Sequence, residues 1–108
     1  IMDFANDDNF KSAWISNPTV KEPWLEIDLT ARTTFNTIVI AEQSENITAY
    51  KVSCYDNGQW KDIIDGNLTR KFKFHRFNAI QGSKIKITLL GFSSKPAITE
   101  LQIYNENR

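Results

Sequence analysis

The sequence has little of what marks the commoner small-protein classes. Its 108 residues hold one cysteine, one methionine, one histidine, four glycines and three prolines. A lone cysteine, Cys54, forbids an internal disulfide and any multi-cysteine metal site. No charge of one sign prevails, since 13 Lys and Arg stand against 13 Asp and Glu. Nucleic acid and anionic membranes draw on a net positive field, so the balance excludes them as main partners. No apolar run approaches the ~18 residues of a membrane span. The opening Ile1-Met2-Asp3 shows neither the charged nor the apolar region of a signal peptide, and the expectation is a single domain, residues 1–108, excised from a longer chain.

Aromatics are what the chain does have: three Trp, three Tyr and seven Phe. Area scaling gives ~18,000 Å² unfolded against ~6,000 Å² folded, so a core is affordable without a staple. Helical spacing is nearly absent, and period-two alternation governs from residue 24 onward. Leu25, Ile27 and Leu29 alternate with polar neighbours, and 34–41 is a β-branched run. In 47–56, Tyr50, Val52 and Cys54 share one face. Asp56-Asn57-Gly58-Gln59 reads as a hairpin turn, because Asn-Gly tolerates the positive φ of a type I′ turn. In 70–77 the alternation predicts Phe72 and Phe74 inward, with Lys71, Lys73 and His75 outward. Ile85, Ile87 and Leu89, then Leu101 and Ile103, supply the last two strands. Seven short strands with turns between them predict an all-β antiparallel sandwich or jelly roll.

Signals of catalysis are weak. His75 falls on a lysine-rich polar face, and Cys54 on the apolar phase of its strand, where a thiol behaves as a small hydrophobe. No nucleophile elbow, phosphate loop or dinucleotide fingerprint is present. The irregular segment with Asp7, Asp8, Asn9 and Ser12 is rich in oxygen donors, which suits a hard cation such as Ca²⁺ or a solvated turn.

Five blocks in order carry a resemblance. Ala5-Asn6-Asp7-Asp8-Asn9-Phe10-Lys11-Ser12-Ala13-Trp14 resembles the early loop of the discoidin superfamily, that is, coagulation factor type C domains and family 32 carbohydrate-binding modules. Pro23-Trp24-Leu25-Glu26-Ile27-Asp28-Leu29 looks like its next strand. Phe35-Asn36-Thr37-Ile38-Val39-Ile40-Ala41-Glu42 is similar to a strand of modules attached to bacterial α-L-fucosidases. Arg76-Phe77 with Lys84-Ile85-Lys86-Ile87, and Ile98-Thr99-Glu100-Leu101-Gln102-Ile103-Tyr104, match the closing blocks.

The resemblance implies a jelly-roll β-sandwich of about eight strands, a galactose-binding-domain-like fold without catalysis of its own. It implies a structural Ca²⁺ held by Asp7, Ser12 and Glu100 through side chains, with Phe4, Asn9 and Thr99 acting mainly through carbonyls. It places binding loops at one end of the sandwich, over 15–22, 42–46 and 91–96; there Phe92, in a loop with no strand phase to bury it, is either the stacking aromatic or a plug for the end of the core. Glu42, Gln43, Asn46 and Lys95 are the polar candidates there, Tyr55 and Phe10 weaker aromatic ones, and Trp14 and Trp24 structural. The His and Arg of galactose-binding members have no counterpart in these loops. The implied function is a glycan-binding accessory module, working beside the catalytic domain of a secreted bacterial glycoside hydrolase of fucosidase type. Extracellular, periplasmic or cell-surface placement goes with it. A spacer that binds nothing and an adhesion domain are the alternatives.

Overall fold

The computed structural model describes residues 7–15 and 21–107, with side chains described for 21–107. Six strands are described: β1 (Asp7–Ile15), β2 (Trp24–Glu42), β3 (Ile47–Asp56), β4 (Gln59–Gly66), β5 (Phe72–Phe92) and β6 (Ala97–Tyr104). They hydrogen-bond in the order β1-β6-β2-β5-β3-β4, and every pair is antiparallel.

Two strands are long enough to serve both layers of a sandwich. The first half of β2 pairs with the second half of β5 (Trp24↔Thr88 to Asp28↔Lys84), and the second half of β2 with the first half of β5 (Thr37↔Arg76 to Ala41↔Phe72). The register breaks between Asp28 and Thr33, where both chains turn the corner. Thr30 sits there at φ 68°, a costly angle for a β-branched residue, with its N–H on Asp28 Oδ1 at 2.8 Å. Alternation alone divides each of these strands in two at its corner. Counted by layer, the described strands therefore give eight segments, in agreement with the expected jelly roll.

The first layer comprises β4, β3, the second half of β5 and the first half of β2; the second comprises β1, β6, the second half of β2 and the first half of β5. Between them lie Leu29, Phe35, Ile38, Ile40, Tyr50, Val52, Ile85, Ile87, Leu89, Ile98, Leu101 and Ile103, all at most 1% exposed. The Asn57-Gly58 turn has φ of 51° and 76°, as read from the sequence. Arg32 locks that turn to the β2 corner through two bonds to Asp56, at 2.9 and 3.0 Å. Among the described residues no helix is long and apolar enough to cross a membrane.

The corner of β5 is closed by Gly82, where a Cβ would overlap Cys54 Sγ and lie 3.1 Å from the Tyr55 carbonyl oxygen. Overpacking of this kind costs ~1–3 kcal/mol. Gly82→Ala is expected to lower the thermal midpoint by at least about 4 °C, read by circular dichroism.

Candidate functional site

Because β2 and β5 cross between layers, each begins and ends at the same end of the sandwich. Trp24, Glu42, Phe72 and Phe92 thus mark one rim, opposite the Asn57-Gly58 turn. The connections 43–46, 67–71 and 93–96 gather there. Gln43 N–H donates to the Ala97 carbonyl at 3.0 Å, and Ser93 N–H to the Asn46 carbonyl at 2.9 Å, so the first and third connections are bonded together.

A buried ion pair lies beneath them. Lys73 Nζ donates to Glu42 Oε2 at 2.5 Å, and both side chains are fully buried. Glu42 Oε1 accepts the N–H groups of Asn46 and Ile47 at 3.0 and 2.9 Å. Lys73 Nζ also donates to the Arg70 carbonyl at 2.7 Å and stands 5.6 Å from the Tyr50 ring centroid. Two predicted positions are corrected by this. Glu42 is not a surface contact for a sugar, since both of its oxygens are engaged inside. The phase of 72–75 is reversed: Lys73 is inward, and Phe72 and Phe74 are 60% and 43% exposed. Register decides the matter, because Lys73 is opposite core-facing Ile40, while Phe72 and Phe74 are opposite Ala41 and Val39 on the other face.

The outward phenylalanines create a second feature. With Val39, Ala41, Glu100 and Gln102 they line a groove of ≈ 230 Å³ on the outer face of the second layer. Arg76 lies 4.4 Å from the Phe74 ring centroid and is held by Glu106 at 3.0 Å. Trp24, read as structural, is 56% exposed. Phe92 is half-buried and packs against the core, so the rim aromatics open to solvent are Trp24 and Phe72 among the described residues. The sequence carries no signal for them, because the residues opposite them in the sheet fix their face and pairing is not visible in one chain's alternation. Gln43 and Lys95 are exposed and Asn46 is half-buried, all on the bonded loops.

The metal candidates are divided by register. Phe4 lies outside the described residues, as do the side chains of Asp7, Asn9, Phe10, Ser12 and Trp14. On β1, Asp7 is opposite Tyr104 and Asn9 opposite Gln102, while Lys11, just before Ser12, is opposite Glu100. Asp7 is thus four ladder positions from the level of Glu100, ~14 Å at 3.4 Å per residue. Thr99 is exposed, and its hydroxyl donates to the Ala41 carbonyl at 3.4 Å. Among the described residues no three His, Cys, Asp or Glu side chains gather as a metal site would need.

The F5/8 type C domain profile matches residues 2–101. The chain belongs to the F5/8 type C domain family. No curated protein matches it. Solved structures with this fold include the family 32 carbohydrate-binding module of NanJ from C. perfringens in complex with galactose, 24% identical with a TM-score of 0.77 over 88% of this chain and 77% of that one. A putative α-L-fucosidase from Bacteroides ovatus is 14% identical, with a TM-score of 0.82 over 95% of this chain and 18% of that one. A Ruminococcus gnavus GH29 fucosidase in complex with fucose is 24% identical, with a TM-score of 0.74 over 90% of this chain and 20% of that one. The F5/8 type C domain described here therefore spans about a fifth of each of these fucosidase chains.

Inside the domain, two titratable groups adjoin Lys73. Tyr50 Oη and His75 Nε2 are 2.5 Å apart. Burial pushes the Tyr50 hydroxyl up to about 12, so it keeps its proton at neutral pH. Burial first, then the Lys73 charge, lowers the His75 pKa from 6.5. Burial also lifts the Cys54 thiol to about 11, as fits an inert core cysteine. Because His75 binds its proton more readily unfolded, its contribution is present above pH ~6.5 and is lost as pH falls. The thermal midpoint is expected to drop between pH 7.5 and 5, and the drop to be smaller in His75→Gln, measured by calorimetry.

Proposed function

We propose that this domain is a non-catalytic carbohydrate-binding module of a glycoside hydrolase of α-L-fucosidase type, binding terminal neutral sugars at the rim formed by 43–46 and 93–96. The observation that carries it is the bonded loop pair, fixed from below by Glu42, in a family 32-like fold. Sugar recognition needs a few polar groups held in fixed positions beside an apolar surface. Gln43, Asn46 and Lys95 are the polar groups, and Phe92 and the exposed Phe72 and Trp24 border the rim. The neutral net charge suits uncharged ligands. Secretion from a bacterium belongs to the same proposal.

A calcium ion belongs to it on narrower grounds than the sequence resemblance gave: Thr99 and Glu100 share a level of the ladder with Lys11–Ser12, and Asp7 does not. A higher thermal midpoint in excess Ca²⁺ than in chelator is the expected outcome, and equal midpoints remove the ion from the account.

The second reading, a spacer that packs on a catalytic domain, is favoured by one observation, the exposed Phe72 and Phe74 on the outer face. A glycan array probed with the 108-residue chain separates the two. Binding to terminal galactosides or fucosides is expected, and silence across the array favours the spacer. Gln43→Ala with Lys95→Ala is expected to weaken binding about tenfold or more by titration calorimetry with the melting curve unchanged, since hydrogen bonds involving a charged group are worth ~1.5–3 kcal/mol.

A further inference from the structure

We propose that Lys73, which has no surface of its own, is the positioning residue of the sugar-binding rim, and that it sets the rim's geometry through Glu42. This rests on the carbohydrate-binding reading and adds to it the group that holds the loops in their binding arrangement.

The bonds form one continuous path across three connections. From the Arg70 carbonyl the path runs through Lys73 Nζ to Glu42 Oε2. From Glu42 Oε1 it continues to the N–H groups of Asn46 and Ile47. The Asn46 carbonyl then accepts Ser93 N–H, and Gln43 N–H reaches the Ala97 carbonyl. Gln43, Asn46 and Lys95 all lie on the segments this path ties together.

Stability alone does not call for such a pair. Well-packed apolar residues of similar volume commonly replace a buried ion pair with no loss of stability. What they cannot supply is a carboxylate oxygen that accepts the N–H groups of Asn46 and Ile47 at once, bonds that are stronger because the acceptor is ionised. Glu42 is 1% exposed, and an ionised carboxylate at that depth needs a cation beside it. Lys73 is that cation. Its ammonium reaches Glu42, the Arg70 carbonyl and the Tyr50 ring face, so its position is fixed from three sides.

The test uses Lys73→Met combined with Glu42→Leu, which replaces the pair with apolar side chains of similar size, and Lys73→Arg, which keeps the charge. Amide hydrogen exchange by NMR and affinity for galactose and L-fucose are measured on each. In the double variant the amides of Asn46, Ile47 and Ser93 are expected to exchange at least tenfold faster, while those of Val52 and Ile87 keep their protection. Sugar affinity is expected to fall at least tenfold, and Lys73→Arg to retain both properties. Unchanged protection of these three amides in the double variant overturns the proposal, and so does unchanged affinity. If the unaltered protein binds neither sugar, the carbohydrate reading fails, and the exchange rates alone decide whether Lys73 positions the rim. Should the double variant not fold, Lys73→Gln, which can still donate but carries no charge, is read by the same criteria.

Discussion

An ion pair taken wholly out of water is the constraint around which this domain is arranged. Desolvating either ion costs several kcal/mol, and that cost is offset only where the remaining donors and acceptors are filled. Here they are filled by backbone: the Arg70 carbonyl on the lysine side, and the N–H groups of Asn46 and Ile47 on the glutamate side. The Arg70 carbonyl and the Asn46 N–H belong to connections between strands, and the Ile47 N–H to the first residue of β3. The pair therefore fixes the very segments that a sandwich would otherwise leave free to move, and losing one partner costs ~3–5 kcal/mol.

The fold brings the pair to the rim by running β2 and β5 through both layers. Glu42 ends β2 and Lys73 is the second residue of β5, so the bent strands deliver both charges to one end. The same bends place the tight turn at Asn57-Gly58 and the close packing of Gly82 on Cys54 at the opposite end. One end is closed by steric fit and short turns. The other carries the longer connections, tied together through the buried Lys73–Glu42 pair.

Much of the fold was legible in the sequence, and the failures have physical causes. Alternation placed Tyr50, Val52, Cys54, Ile85, Ile87, Leu89, Leu101 and Ile103 in the core, and all are buried. The Asn-Gly turn follows from backbone chemistry, and the ordered motifs point to the F5/8 type C family that the profile match shows. Reading 71–75 failed because Lys and Phe alternate there, and hydrophobicity favours the wrong face. The inward lysine is paid for by a partner 31 residues away, and no local pattern records a contact of that range. Glu42, at the end of a strand, looks like a loop contact in the sequence for the same reason. Trp24 and Phe72 at the rim were assigned to the interior, since exposure of an aromatic depends on which strand lies opposite it. Of the six-residue calcium set, Phe4 and the side chains of Asp7, Asn9 and Ser12 lie outside the described residues.

The central claim is that the end organised by Lys73 and Glu42 is the end that meets the sugar. It is tested most directly by titrating ¹⁵N-labelled protein with galactose and with L-fucose and mapping the amide shifts. The account predicts that shifts concentrate at 43–46 and 93–95, with the turn at Asn57-Gly58 unmoved. Shifts confined to the Phe72–Phe74 face, or none at saturating sugar, would contradict it.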